Sequence, residues 1–165
     1  MALTRDITIR RATAQDLAAI VRLLADDVLG RQREDTGPEI NARYRDAFAA
    51  ITADPNQFLA VAEDDGAVVG CLQLSFMPGL SRLGAWRGQI ESVRIASARR
   101  GSGLGRTMFE CAIAQCRERG CSLVQLTTDK ARPDALRFYE SVGFVASHEG
   151  LKLGLDIEQH EGNPR

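Results

Sequence analysis

Apolar and polar residues alternate at Ile7-Thr8-Ile9-Arg10, which predicts a short first strand. Thr13 stands three residues before Asp16, a capping-box-like start, and Leu17, Ile20, Val21, Leu24 and Val28 follow at helical spacing. Gly30 to Pro38 is polar and contains breakers, so it reads as a loop before a second helix over 39–53. Phe58 to Ala62 and Ala67 to Leu74 read as strands, with hairpin turn chemistry at Asp64-Asp65-Gly66 between them. A loop over 77–87 precedes another strand, Gln89 to Ile95. A helix then opens at Ser102 or Gly103, with Leu104, Met108, Cys111, Ala112 and Cys116 on one face, and Gly120 ends it. Leu123 to Thr127 is the next strand, and Pro133 suits the first turn of a helix that Gly143 closes. Phe144-Val145 and Leu151-Lys152-Leu153 predict a last hairpin.

The resulting order, β-α-α-β-β-β-α-β-α-β-β, argues for an α/β (α+β) fold. It predicts a mixed, mostly antiparallel sheet with helices on both faces. The expected organisation is one domain over 7–155 and a polar tail over 156–165, within the size range of a single core.

Composition narrows the function. With 44% hydrophobic residues, 26% charged residues and a net charge of −1, the chain has no overall positive field to draw a nucleic-acid backbone. No apolar run has the length of a signal peptide or membrane span. Cys71, Cys111, Cys116 and Cys121 lack CxxC spacing, and His148 and His160 lie far from them, so no metal site is expected. A reduced, cytoplasmic setting is the expectation.

The chemistry concentrates at Arg100-Gly101-Ser102-Gly103-Leu104-Gly105-Arg106, between a strand and a helix. Glycines let backbone amides approach an anion closely, and the helix start adds N–H groups and a positive dipole end. Arg100 and Arg106 supplement that charge. A dinucleotide fingerprint would place a third glycine at Arg106, and a P-loop would need Gly-Lys-Ser/Thr, so neither fits.

The pattern Arg100-x-x-Gly103-x-Gly105, the preceding strand Ile90-Glu91-Ser92-Val93-Arg94-Ile95 and the segment Ala135-Leu136-Arg137-Phe138-Tyr139-Glu140-Ser141-Val142-Gly143-Phe144 together resemble the GNAT family of N-acetyltransferases. The resemblance covers about residues 7–155. It implies a fold with splayed central strands, acetyl-CoA as co-substrate, and transfer to a primary amine in a ternary complex. By resemblance, the amides from Gly101 through Arg106, including Ser102 and Leu104, bind the CoA pyrophosphate. Backbone groups of Val93, Arg94 and Ile95 pair with the pantetheine arm, whose amides need partners when buried.

For Glu91 the resemblance implies a general base, since an alkyl amine is mostly protonated at neutral pH; a solvent-facing strand residue or a salt-bridge partner is the alternative. For Tyr139 it implies the acid that protonates the leaving thiolate, with core packing as the alternative. Many relatives carry asparagine where this chain has Arg132, which is expected to meet a phosphate, a pantetheine carbonyl or the acceptor. Asp26, Asp27, Arg31, Arg33, Glu34, Trp86 and His148 are weaker acceptor-side candidates. Arg132 and Arg137 bring in an acidic or phosphonate-bearing amine as one acceptor class. The expected partner is a small-molecule amine, with a protein amine and a homodimer left open. Neither nucleic acid nor a membrane is expected. The rival reading is a non-catalytic acyl-CoA-binding regulatory module.

Overall fold

A computed structural model describes residues 7–27 and 30–155. Val28 of the predicted helical face, the residues before Ile7 and the tail over 156–165, with His160, lie outside the described residues. The described residues up to Thr128 form one compact unit, and those from Asp129 to Leu155 belong to a second.

The first unit is built on a five-stranded sheet in the order β1-β2-β3-β4-β5. Its strands are β1 (Thr8–Arg11), β2 (Gln57–Asp64), β3 (Ala67–Met77), β4 (Trp86–Ile95) and β5 (Cys121–Leu126). The first three pairings are antiparallel, and β4 with β5 is parallel. This is the mixed, mostly antiparallel sheet that the pattern predicts. The β2–β3 hairpin turns on Asp65 and Gly66, whose φ values of 51° and 77° are those an Asp-Gly tight turn requires.

Helix α1 (Leu17–Leu24) follows a 3-10 turn in which the Thr13 amide and hydroxyl both donate to Asp16, at 2.7 and 2.9 Å. Arg10 also donates to Asp16, at 2.7 Å, and its guanidinium holds that carboxyl well below the usual carboxylate range. Helix α2 (Ala42–Ala53) starts three residues later than predicted, because the Asn41 side chain accepts from the Arg43 amide and caps it there.

Side-chain alternation puts α1 and α4 (Leu104–Glu118) on opposite faces of the sheet. Leu59, Val61 and Cys71 pack with Ile20 and Leu23 of α1, and Phe48 and Ile51 of α2 join them. A Cβ built on the neighbouring Gly70 would instead meet Met108 of α4 at 2.8 Å, and one on Gly88 would run into the Cys116 sulfur. At Gly70 the Met108 sulfur ends a flexible side chain that can shift, but at Gly88 the short, buried Cys116 side chain leaves no such room. Gly88→Ala should therefore cost about 2 kcal/mol, as overpacking does against a buried partner. Urea unfolding measures this; a midpoint equal to the parent's would mean that α4 yields freely.

Two segments differ from expectation. The loop predicted over 77–87 is shorter, since β3 runs on to Met77 and β4 begins at Trp86. Between them the one-turn helix α3 (Ser81–Gly84) carries left-handed Arg82 and Leu83. In the second unit, helix α5 (Pro133–Ser141) forms with Pro133 in its first turn. The predicted last hairpin does not form: residues 144–155 contain no strand, and Val145, Leu151 and Leu153 are exposed. Alternation alone supplies no ladder partner, and without one a strand is not stable.

Candidate active site

Strand β4 leaves β5 partway along its length. The two pair from Trp86 with Cys121 as far as Ile90 with Leu126. Glu91 to Ile95 continue alongside β3 alone, so their backbone on the β5 side has no ladder partner among the described residues. That is the splay expected of the central strands, and it begins at the predicted base.

A bulge sits in the same stretch. The register passes from Gln73 opposite Glu91 to Cys71 opposite Arg94, so Leu72 faces both Ser92 and Val93. Ser92 takes a left-handed φ of 54°, a conformation that costs a non-glycine residue about 1–2 kcal/mol. Its carbonyl accepts from the Cys71 thiol at 3.5 Å. A bulge re-aims the groups beside it. Here it turns the strand just past the point where β5 leaves it. No residue in Glu91-Ser92-Val93 signals it from sequence.

Directly after β4 the chain forms a 3-10 turn (Ser97–Arg99) and then the glycine-rich loop. Gly101 and Gly103 have φ values of 77° and 87°, and a Cβ on either would meet nothing within 4 Å. The glycines are needed for backbone conformation, and the space beside them is open. Gly103 caps α4, and the first helical bond runs from the Thr107 amide to the Gly103 carbonyl at 3.2 Å. The Ser102 amide donates to the Arg99 carbonyl at 3.4 Å, while the amides of Gly103, Leu104 and Gly105 lie at the helix end, where the dipole is positive. This cradle and the open β4 edge suit the phosphates and amides of a CoA molecule.

The arginines of the turn are used more structurally than the sequence suggests. Arg100 donates to the Asp26 carbonyl at 2.6 Å and to the Ile95 carbonyl at 3.2 Å. Arg99 pairs with Asp64 at the hairpin. Arg94 lies 3.4 Å from Asp27 and donates to the Val93 carbonyl at 2.9 Å. Val93 and Ile95 thus already hold one donor each on oxygens that can accept a second.

Asp26 and Asp27 brace the end of α1 against this region. Asp26 accepts from the Ser97 amide at 2.9 Å, and Asp27 from the Gly30 amide at 2.6 Å. Two aspartates just past a helix C-terminus oppose its dipole, which is the sequence signal that they serve another partner. Glu34 accepts from the Tyr44 hydroxyl at 2.7 Å. Arg31 and Asp26 line a groove of about 760 Å³ beside Ser97, together with Arg22. Trp86 is a half-buried residue of β4 rather than of a loop.

Glu91 is exposed on the same side of β4 as Gln89, opposite Gln73. The cysteines offer no rival nucleophile there. Cys71 backs onto the bulge but is fully buried, and burial pushes its thiol up to about 12. Burial and neighbouring Cys121 push Cys116 up to about 12, and burial raises Cys111. At neutral pH such thiols are protonated and unreactive.

The second unit carries the other predicted residues. Arg132 caps α5, and its carbonyl accepts from the Ala135 amide at 3.1 Å. Arg137 pairs with Asp134. Tyr139 is half-buried, with its ring edge-on to Phe138 at 5.7 Å and to Phe144 at 6.4 Å. His148 is exposed, its Nδ1 2.8 Å from the Ser147 hydroxyl. Among the described residues no helix is long and apolar enough to cross a membrane, and no group of three or more metal-ligating side chains forms.

Known proteins are similar to this chain in sequence and in fold. The profile of the Acetyltransferase (GNAT) family matches residues 21–144. An aminoalkylphosphonate N-acetyltransferase of Salmonella typhimurium is 30% identical over 140 residues, which cover 85% of this chain and 86% of that one. A glucosamine 6-phosphate N-acetyltransferase of Trypanosoma brucei brucei is 33% identical over 54% of this chain and 59% of its own. The crystal structure of a transcriptional regulator from Bacillus halodurans C-125 is 52% identical, covers 91% of this chain and 100% of that one, and superposes with a TM-score of 0.89. With the family profile spanning most of its length and its sheet opening beside a glycine-rich turn, this chain belongs to the GNAT family of acetyltransferases and is an acyltransferase.

Proposed function

We propose that the chain transfers the acetyl group of acetyl-CoA to the primary amine of a small molecule by direct attack in a ternary complex. The observation that carries this reading is the separation of β4 from β5 beyond Ile90, next to the helix-capping glycines. The relatives whose names specify amino-bearing small molecules support the acceptor class.

Bound acetyl-CoA supplies an acyl carbon already activated as a thioester. The chain's residues do the rest. Amides from Gly101 through Arg106 hold the pyrophosphate, and the open edge at Val93, Arg94 and Ile95 takes the pantetheine amides. Glu91 removes the proton of the incoming ammonium, directly or through water, and Tyr139 protonates the departing sulfur. Arg132, at the start of α5, serves the cofactor. The burial of Cys71 and Cys116, which keeps both thiols from a substrate, favours direct transfer over an acetyl-enzyme. A cytoplasmic setting fits its four free thiols.

The test is release of free thiol from acetyl-CoA across a panel of small amines, with Glu91→Gln alongside the parent. The variant should lose about tenfold in rate near pH 7 and recover toward the parent as pH rises and the amine arrives neutral. Equal rates from pH 6 to 9 would remove Glu91 as the base. The rival reading, an acyl-CoA-binding regulatory module, predicts CoA binding with no thiol release for any amine.

A further inference from the structure

Four strands place polar side chains in one row across the sheet. Gln57 lies opposite Ser75, Ser75 opposite Gln89, and Gln89 opposite Gln125. One step along the same face, Gln73 lies opposite Glu91. Nearer the hairpin this face is apolar, where Leu59, Val61 and Cys71 are buried under α1 and α2. The change from aliphatic to carboxamide along one sheet face marks a surface built to meet something polar, since burying such groups alone is costly.

The row is held in place by its own hydrogen bonds. The Gln57 oxygen accepts from the Gln73 amide at 3.1 Å and from the Ser75 hydroxyl at 2.9 Å. The Gln125 amide donates to the Gln89 oxygen at 2.8 Å. That leaves donors on Gln89 and acceptors on Gln73 and Gln125 without a partner among the described residues. Whichever way a carboxamide is turned, it offers both kinds of group.

We infer that this row is the acceptor-recognition surface and that its substrate is a hydroxylated primary amine, of the amino-sugar or amino-polyol class. The inference rests on the acetyl-transfer reading above. A hydroxyl both donates and accepts, which matches interleaved carboxamide donors and acceptors. An anionic group only accepts, and here it would face the Gln73 and Gln125 oxygens and the Glu91 carboxylate. The placement also serves the chemistry. Gln89 and Glu91 are two residues apart on one strand face, about 7 Å, which suits an amine at Glu91 on a molecule whose hydroxyls reach Gln89.

The experiment compares glucosamine, cyclohexylamine and 2-aminoethylphosphonate as acceptors, for the parent and for Gln89→Leu. The readout is the variant-to-parent ratio for each amine, which cancels their different basicities. Gln89→Leu should raise KM for glucosamine about tenfold while KM for cyclohexylamine and for acetyl-CoA stays within about twofold. Gln125→Leu should repeat the result, and retained stabilisation by CoA shows that either variant is folded. The inference is overturned if glucosamine and cyclohexylamine lose equally. It is also overturned if 2-aminoethylphosphonate is the better acceptor and is the one affected. Should no amine release thiol, the acetyl-transfer reading fails by itself. Calorimetry then decides the sheet face, because glucosamine binding that Gln89→Leu removes supports it and absent binding overturns it.

Discussion

Gly103→Glu will abolish the stabilisation that CoA gives the parent protein. A ligand held at a hundred times its dissociation constant adds about 2.7 kcal/mol to the native state. For a chain of this size that is a rise in Tm of about 5–10 °C. Gly103 is the N-cap of α4, in the left-handed conformation, and a Cβ there meets nothing within 4 Å. A glutamate side chain therefore enters open space without clashing, at the positive end of the helix where the pyrophosphate would sit. Its carboxylate both occupies the anion seat and repels the phosphates. The left-handed backbone adds a cost of about 1–2 kcal/mol, which Gly103→Ala measures separately. The alanine variant should melt lower than the parent yet still respond to CoA. The parent's failure to shift at millimolar CoA would remove the cofactor assignment, and an unchanged shift in Gly103→Glu would move the pyrophosphate away from this turn.

Features of the site that depend on a few adjacent residues were legible in the sequence. Asp65-Gly66 has the chemistry of its turn, and Gly101 and Gly103 stand where positive φ is required. The strand-turn-helix order around them follows from hydrophobic spacing alone. Features that depend on residues far apart were not legible. Arg100 reads as a phosphate ligand, but its guanidinium is bonded to Asp26, 74 positions away. The bulge at Ser92 arises because β3 and β4 take registers that differ by one residue on either side of it, and registers are set by the whole sheet. The row from Gln57 to Gln125 is scattered over nearly 70 positions of sequence and becomes a row only when four strands pair. Local pattern also misleads where no partner exists, as the hairpin predicted around Leu151-Lys152-Leu153 shows.

Tyr139→Phe will lower turnover about a hundredfold while acetyl-CoA still binds, the loss expected on removing one general acid. The substitution deletes a hydroxyl and keeps the ring. Its edge-on packing with Phe138 and Phe144 is made by ring carbons, so the local fold of the second unit should be conserved. A thiol leaving group has a pKa near that of cysteine, so expelling it as thiolate at neutral pH is only moderately unfavourable. A phenol donating a proton as the carbon–sulfur bond breaks removes that cost. The deficit should therefore shrink with acyl donors whose thiols are more acidic, because they leave without help. A merely structural tyrosine predicts something else: its loss would lower the Tm and weaken CoA binding, with the same fractional loss for every donor. Steady-state kinetics with acetyl-CoA and with an acetyl thioester of a more acidic thiol, alongside the CoA-induced shift in Tm, separate the two. Turnover equal to the parent's, or joint loss of CoA binding and turnover, would leave Tyr139 as a packing or cofactor-contact residue and require another proton source for the sulfur.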